Sequence, residues 1–215
     1  MQADRPKQYL PLGAMTLLER SVRSLLADER VARVLIVVAP DDAHAAGSVL
    51  PPRCEWLAAG GATRAGTVRN GLHALCQMGG VRPEQDWVLV HDAARPCLSR
   101  AELAALIDEG GRDEHGGLLA LPVSDTLKKG QDGRVARTVE RDGVWRALTP
   151  QFFRIDVLAR ALERCADATV TDESAAVEQL GLQPRLVPGR AGNIKVTTPA
   201  DLALAEAVLR MEGNW

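Results

Sequence analysis

Hydrophobic positions along this chain follow two different periods, one typical of strands and one typical of helices. The β-branched apolar run at 32–39 predicts a strand buried on both faces, whereas Leu18, Val22 and Leu25 recur at helical spacing within 15–27. Further strands are predicted at 54–58, 87–91, 117–121, 184–188 and 193–197, and further helices at 42–49, 63–78, 99–109, 155–166, 172–180 and from Thr198 onward. This alternation predicts an α/β fold, with a mostly parallel sheet and helices on both faces, in a single domain over residues 1–215.

The helix boundaries carry capping signals. Thr63 can cap the helix that follows it, and Ser99 with Glu102 forms a capping box before a helix that Gly110-Gly111 stops. The last helix has Thr198 as its cap, proline at its first position and Asp201 completing the box.

Residues 122–149 depart from this pattern. Polar, alternating stretches at 125–129 and 135–140 flank a turn at 131–133, which predicts a β-hairpin arm. An isolated hairpin is marginally stable in water, so we expect the arm to lie on another surface, most simply the same arm of a second subunit. The alternative is a solvated hairpin folded back on its own domain.

Composition and charge narrow the class of protein. The chain is 46% hydrophobic with net charge −2, which gives no electrostatic reason to expect binding to nucleic acid or a membrane surface. The run Val34 to Ala39 is too short to span a bilayer, and the polar residues after Met1 predict no secretory leader. The four scattered cysteines predict free thiols. The expected location is the cytoplasm.

The most informative motif closes the strand at 87–91. Three apolar residues lead into His91-Asp92, two alanines, and Arg95 fixed against Pro96. Ligands of open α/β sheets bind at the carboxyl ends of the strands, and an acid beside a held arginine suits a metal–phosphate ligand. The alternative is an ordinary strand end with a surface ion pair.

Several motifs together resemble a known family. They are Pro6-Lys7-Gln8-Tyr9-Leu10, Gly60-Gly61 with Arg64 and Thr67-Val68-x-x-Gly71-Leu72, His91-Asp92-Ala93-Ala94-Arg95-Pro96, Ala147-Leu148-Thr149-Pro150-Gln151, Thr171-Asp172-Glu173 and Asn193-Ile194-Lys195-Val196-Thr197. Their order and spacing resemble the 2-C-methyl-D-erythritol 4-phosphate cytidylyltransferases of non-mevalonate isoprenoid synthesis. The resemblance implies a Rossmann-like nucleotidyltransferase fold. It also implies CMP transfer from CTP to the alcohol phosphate, with Mg²⁺ and release of pyrophosphate.

The resemblance also implies roles for individual residues. Lys7 would stabilise the transition state at the triphosphate, and Lys195 and Arg141 would position the phosphate nucleophile, Arg141 in a neighbouring subunit's site. Asp92 would hold Mg²⁺ and lie near the substrate. The remaining implied contacts are Arg95, Thr126, Thr149 and Thr171 at the alcohol phosphate, and Gly60, Gly61, Ala62 and Thr67 at the cytidine.

Each role has a plainer alternative. Lys7 and Arg141 could be solvated charges, Gly60-Gly61 could be only a turn, and Thr171 could cap the following helix. Thr67 stands where the family usually has serine and keeps the hydroxyl.

One departure from the family pattern concerns the start of the chain. Family members begin with a buried strand and a Gly-rich loop whose N–H groups hold the CTP phosphates, and Met1 aligns with the methionine that closes that loop. The strand would lie between those at 32–39 and 87–91. We therefore expect the natural product to begin upstream of Met1.

Two other functions remain open at this point. One is a cytidylyltransferase acting on ribitol 5-phosphate, which shares much of the pattern. The other is a truncated, non-catalytic homologue that serves as a dimeric binding or scaffold protein.

Overall fold

The computed structural model describes residues 5–45, 50–165 and 170–213. Six α-helices and ten strands are found in these ranges. The helices are α1 (Leu17–Leu25), α2 (Arg64–Gln77), α3 (Arg100–Gly110), α4 (Ile155–Arg164), α5 (Glu173–Glu178) and α6 (Pro199–Met211). The strands are β1 (Pro11–Leu12), β2 (Met15–Thr16), β3 (Val34–Val38), β4 (Cys54–Ala58), β5 (Trp87–Val90), β6 (Gly117–Pro122), β7 (Leu127–Gln131), β8 (Arg134–Val139), β9 (Trp145–Arg154) and β10 (Arg185–Pro188).

The strands form four separate sheets. The largest has the order β10-β6-β9-β5, and β3 pairs in parallel with β4 in a sheet of its own. β1 pairs with β2 and β7 with β8. The predicted parallel pairing holds for β3–β4 and for β10–β6, but β9 runs antiparallel to both β5 and β6, so the largest sheet is mixed.

One hydrophobic core joins the four-stranded sheet to the β3–β4 sheet. Val34 and Ile36 of β3 belong to the same buried cluster as Leu119 of β6 and Phe152 of β9. The next residue of β9, Phe153, points to the opposite face and packs with α4 and α5. β9 is therefore buried on both faces and is central to the molecule, although β3 and β5 are not hydrogen-bonded to each other.

The predicted caps are present. Ser99 and Glu102 form a capping box at α3, Thr198 and Asp201 form one at α6, and the Thr63 side chain accepts from Gly66 N at the start of α2. The structure adds a further box at α1, where Thr16 pairs with Glu19. Each cap satisfies N–H groups that the first helical turn leaves without a partner.

Two predicted elements are wrong. Residues 193–197 form no strand: the segment is a loop, in which Val196 N donates to Ala94 O at 2.8 Å. Residues 42–45 of the predicted helix 42–49 lie outside any α-helix, because the Asp42 side chain accepts from His44 N and competes with helical hydrogen bonding. The remainder, 46–49, lies outside the described residues.

The arm is present as a two-stranded hairpin, but it is shorter than the predicted 122–149, because residues 145–149 belong to β9 and pair with β6 in the largest sheet. β7 and β8 are joined by Asp132 and Gly133, both at positive φ, which is the geometry of a tight hairpin turn. Only Leu127 and Val139, which face each other across the ladder, are partly buried; the other residues of the two strands are exposed. In the described ranges no helix combines the length and the apolar character that a bilayer span needs.

Candidate active site

The site is built at the carboxyl end of β5. The half-buried strand ends at Val90, and the chain turns through His91 to Pro96, with Arg95 N donating to Asp92 O at 3.0 Å. The Asp92 and Arg95 side chains therefore leave one short turn at the sheet edge where α/β proteins bind ligands.

Three cations surround the Asp92 carboxylate. Lys195 Nζ lies 2.8 Å from Oδ2, Arg64 Nε lies 3.1 Å from Oδ1, and Arg95 Nε lies 3.6 Å from Oδ2. Burial by itself would raise the pKa of Asp92, but the Lys195 hydrogen bond and the nearby positive charges outweigh it and lower the pKa to about 2. The carboxylate is therefore ionised at neutral pH and holds the three cations together.

Arg64 connects Asp92 to a second carboxylate. Its Nη1 and Nη2 donate to the two oxygens of Glu173 at 2.6 and 3.0 Å, and Glu173 is only 1% exposed. Burial alone would lower the pKa of Arg64, but the contacts with Glu173 and Asp92 raise it. This fork geometry is the strong form of an arginine–carboxylate pair, so it fixes the direction of the guanidinium.

Arg95 is held from the other side of the turn. It is 9% exposed, and its Nη1 donates to Asn193 O at 2.8 Å. Its buried Nε makes no hydrogen bond in the described part of the chain. Asn193 in turn donates from Nδ2 to Thr149 O at 3.0 Å, which ties β9 to the segment that carries Lys195.

Lys7 approaches the same segment from the amino-terminal side. Lys7 Nζ donates to Val196 O at 3.3 Å, next to Lys195 in the chain. The 3₁₀ turn Lys7–Tyr9 is anchored by Tyr9, which is 3% exposed and donates from its hydroxyl to Asp42 Oδ2 at 2.8 Å. Burial raises the pKa of Tyr9, so this hydroxyl remains a donor.

The Gly60–Ala62 loop lies between β4 and α2. Gly60 N donates to Val38 O at 2.7 Å, and a Cβ on Gly60 would come within 2.9 Å of that oxygen, so only glycine fits. The Thr67 hydroxyl accepts from Gly61 N and donates to Thr63 O, both at 3.0 Å. Because Arg64 opens α2 directly after this loop, the loop and the Asp92 cluster share one rigid connection.

Comparison with known proteins identifies the family. A sequence profile described as IspD, 2-C-methyl-D-erythritol 4-phosphate cytidylyltransferase, matches residues 1–211. The chain belongs to this family. The enzyme of that name from Laribacter hongkongensis is 56% identical over 216 residues, which cover 99% of this chain and 91% of the relative.

Solved structures agree with the cytidylyltransferase assignment. A crystal structure of 4-diphosphocytidyl-2C-methyl-D-erythritol synthase is 42% identical, with a TM-score of 0.86 and coverage of 94% of both chains. The Francisella tularensis cytidylyltransferase is 31% identical, with a TM-score of 0.83 and coverage of 96% of this chain and 94% of its own. The predicted nucleotidyltransferase fold is confirmed.

Among the residues assigned by resemblance to the cytidylyltransferases, the structure brings together Asp92, Arg95, Thr149 and Lys195, with Lys7 beside them. Thr126 and Thr171 are exposed, and within the described residues neither side chain hydrogen-bonds with this cluster. Asp172, rather than Thr171, is the N-cap of α5, because the Asp172 side chain accepts from Ala175 N at 3.0 Å. The alternative capping role for Thr171 is therefore wrong.

Arg141 lies on the arm and is exposed. Its Nη1 donates to Ser124 O at the base of the same arm, and its main-chain N donates to Glu140 Oε1 at 3.0 Å. Neither contact involves the Asp92 cluster of the same subunit. The implied role of Arg141 in a neighbouring subunit's site stays a prediction.

Three residues of the site were missed at the sequence level. Arg64 and Glu173 form the second ion pair, and the partly buried His91 precedes Asp92 in the turn. Burial lowers the pKa of His91 to about 4, so the ring is neutral at pH 7. All three lie inside the motifs that carry the family resemblance, and these motifs were the only sequence feature that could have indicated them. Their contacts, Arg64 with Glu173 and His91 with Thr149, depend on the tertiary fold.

The residues also allow a test of fit for magnesium. Within residues 5–45, 50–165 and 170–213, no group of three or more His, Cys, Asp or Glu side chains is arranged to hold a metal ion. Magnesium at phosphoryl-transfer sites commonly uses one or two carboxylates together with substrate phosphates. Asp92 meets that requirement if Lys195 or Arg64 gives up one carboxylate oxygen, so the donor set fits magnesium only together with a bound nucleotide.

Proposed function

We propose that this chain transfers CMP from CTP to 2-C-methyl-D-erythritol 4-phosphate in isoprenoid precursor synthesis, giving 4-diphosphocytidyl-2-C-methyl-D-erythritol and pyrophosphate. The observation that carries the proposal is the cluster of Arg64, Arg95 and Lys195 around Asp92 at the end of β5. Membership of the cytidylyltransferase family supports the choice of substrates.

The reaction needs fixed positive charge more than an acid or a base. A phosphate oxygen of the alcohol phosphate attacks the α-phosphorus of CTP and forms a new P–O bond. The bond from that phosphorus to the β-bridging oxygen breaks, and its electron pair leaves with pyrophosphate. The nucleophile is already an anion near neutral pH, so the barrier lies in bringing two anions together, and held cations lower it.

The residues take the following roles in this proposal. Lys7 stabilises charge on the triphosphate, and Lys195 positions the attacking phosphate together with Arg141 of the partner subunit. Asp92 orients Lys195, Arg64 and Arg95, and it holds Mg²⁺ when the nucleotide is bound. The alcohol phosphate is contacted by Arg95, Thr126 and Thr171, and the cytidine by Gly60, Gly61, Ala62 and Thr67. Thr149 lies next to this group, where its hydroxyl accepts from the main-chain N–H of Asp92.

Magnesium, when bound, neutralises phosphate charge as a Lewis acid. The chain's own residues bind and orient the two reactants. A homodimer formed through the β7–β8 arm supplies Arg141, and the exposed ladder of β7 and β8 supports this arrangement. The four free cysteines support a reducing compartment, the cytoplasm.

Pyrophosphate release tests the function directly. The protein is incubated with CTP, Mg²⁺ and either 2-C-methyl-D-erythritol 4-phosphate or ribitol 5-phosphate, and ³¹P NMR identifies the diphosphate product. We expect turnover with the methylerythritol phosphate. Preference for ribitol 5-phosphate would assign the other cytidylyltransferase activity, and CTP binding without transfer to either acceptor would favour a non-catalytic homologue.

A further inference from the structure

His91 lies beneath the site with both ring nitrogens occupied. Nε2 is 3.0 Å from Arg95 O, and Nδ1 is 3.0 Å from the Thr149 hydroxyl. A carbonyl oxygen can only accept, so Nε2 carries the hydrogen and donates it. The neutral ring therefore presents a lone pair at Nδ1, and the Thr149 hydroxyl donates to it.

The Thr149 hydroxyl has a second partner. It accepts from the main-chain N–H of Asp92 at 3.0 Å, and Thr149 is only 4% exposed. The three hydrogen bonds run in one direction, from Asp92 N–H through Thr149 and His91 to Arg95 O. These three hydrogen bonds therefore fix the polypeptide backbone at both Asp92 and Arg95. The side chains of these two residues leave this turn toward the site.

We propose that His91 and Thr149 are positioning residues: their directed hydrogen bonds fix the main chain that carries Asp92 and Arg95. This inference rests on the proposed CMP transfer and deepens it. It gives the Thr149 hydroxyl an internal role, because its only proton is donated to His91 and one of its two lone pairs accepts from Asp92 N–H. A direct contact with the alcohol phosphate would break part of this arrangement.

Loss of the Thr149 hydroxyl would remove the acceptor of the Asp92 N–H in this partly buried turn. The turn would then relax, and Asp92 and Arg95 would shift relative to Lys195, which faces Asp92 at 2.8 Å. Reactions that depend on orientation are sensitive to such shifts. We therefore expect Thr149→Val to lower kcat about 10- to 100-fold while the KM values for both substrates change little.

Two pairs of variants separate positioning from simple destabilisation. Thr149→Ser keeps the hydroxyl and should retain kcat within about 3-fold, whereas Thr149→Val should not. In His91→Asn the amide oxygen can stand near Nδ1 and accept from Thr149. In His91→Gln the amide stands near Nε2 and leaves Thr149 without an acceptor, so Asn should retain the higher kcat.

Thr16→Val is the matched control. It makes the same chemical change at the cap of α1, which lowers stability by the loss of a capping hydrogen bond but does not touch the site. All variants are assayed well below their melting temperatures. Thr16→Val should keep the wild-type kcat. A Thr149→Val protein as active as wild type, a Thr149→Ser protein as impaired as Thr149→Val, or His91→Gln outperforming His91→Asn would overturn the proposal.

Imidazole ¹⁵N NMR gives a readout that does not depend on turnover. We expect wild-type His91 to be protonated at Nε2 and bare at Nδ1, and Thr149→Val to shift the Nδ1 resonance as its donor is lost. A ring protonated at Nδ1 contradicts the hydrogen-bond chain even in an active enzyme. If the wild-type protein is inactive but shows the expected tautomer and the expected Nδ1 shift, the proposed CMP transfer is refuted. The hydrogen-bond arrangement of His91 and Thr149 is then still supported.

Discussion

The buried ion pair between Glu173 and Arg64 offers the sharpest prediction on how the site is held. Glu173→Gln keeps the size of the side chain and removes its charge. In the wild type, the two guanidinium donors of Arg64 lie 2.6 and 3.0 Å from the carboxylate oxygens. The glutamine amide has one acceptor oxygen in place of two, and its NH₂ group would face one of these donors. Arg64 then loses the partner that fixes its direction toward Asp92.

The expected cost follows from the burial of the two side chains. Breaking a fully buried pair costs about 3–5 kcal/mol, because the remaining charge is left uncompensated. The Arg64 side chain is 36% exposed, so water can solvate part of it, and we expect a loss of about 1–3 kcal/mol in the free energy of unfolding. Because Arg64 also orients Asp92, kcat for CMP transfer should fall about 10-fold.

Urea unfolding and steady-state pyrophosphate release measure the two effects. Glu178→Gln is the matched control, since Glu178 lies on the same helix α5 and is exposed. That variant should match wild type in stability and activity. Equal stability of Glu173→Gln and Glu178→Gln would refute the reasoning that the Arg64 pair fixes this part of the site.

Three further predictions concern other charged groups. Lys7→Ala should lower kcat at least about 100-fold with an unchanged fold, because it removes a cation near the triphosphate. Near-normal turnover would show that Lys7 is only a solvated surface charge. Arg141→Ala should raise KM for the alcohol phosphate more than KM for CTP; equal rises would contradict its positioning role. Asp28→Asn should lower stability by about 1 kcal/mol at pH 7, because the exposed Arg30 hydrogen-bonds the Asp28 carboxylate and lowers its pKa to about 2. The Asp28 contribution is complete above about pH 4 and is lost as pH falls toward 2, so urea unfolding of the two proteins should converge over that range, and a constant difference would contradict it.

Local patterns in the sequence were sufficient for most elements of the fold. Helix caps such as Ser99 with Glu102 depend on neighbours three residues apart, and they formed as predicted. The sequence analysis did not predict β9, because the first half of this strand was assigned to the arm at 122–149. Its place in the sheet depends on antiparallel pairing with β5 and β6, which are distant in sequence. The strand predicted at 193–197 failed for a related reason: its partners are the Ala94 carbonyl and the Lys7 side chain, which no local pattern reveals.

In the candidate site too, the residues close in sequence could be predicted, and the contacts between distant residues could not. Asp92 and Arg95 could be predicted because a strand end and a short turn place them together, and Lys195 joined them only through the family resemblance. Arg64 and Glu173 are 109 residues apart in the chain, so their pairing required the fold. His91 stands beside Asp92 in the sequence, but its proposed role depends on the Thr149 hydroxyl, which the neighbouring antiparallel strand β9 brings to it.

A crystal structure with bound 4-diphosphocytidyl-2-C-methyl-D-erythritol tests the central claim most directly. The claim is that the cations held around Asp92 bind the phosphates of both reactants. We predict the diphosphate within about 3.2 Å of Lys195 Nζ, with the cytosine against the Gly60–Ala62 loop. A ligand bound away from Asp92, Arg95 and Lys195 would contradict the account.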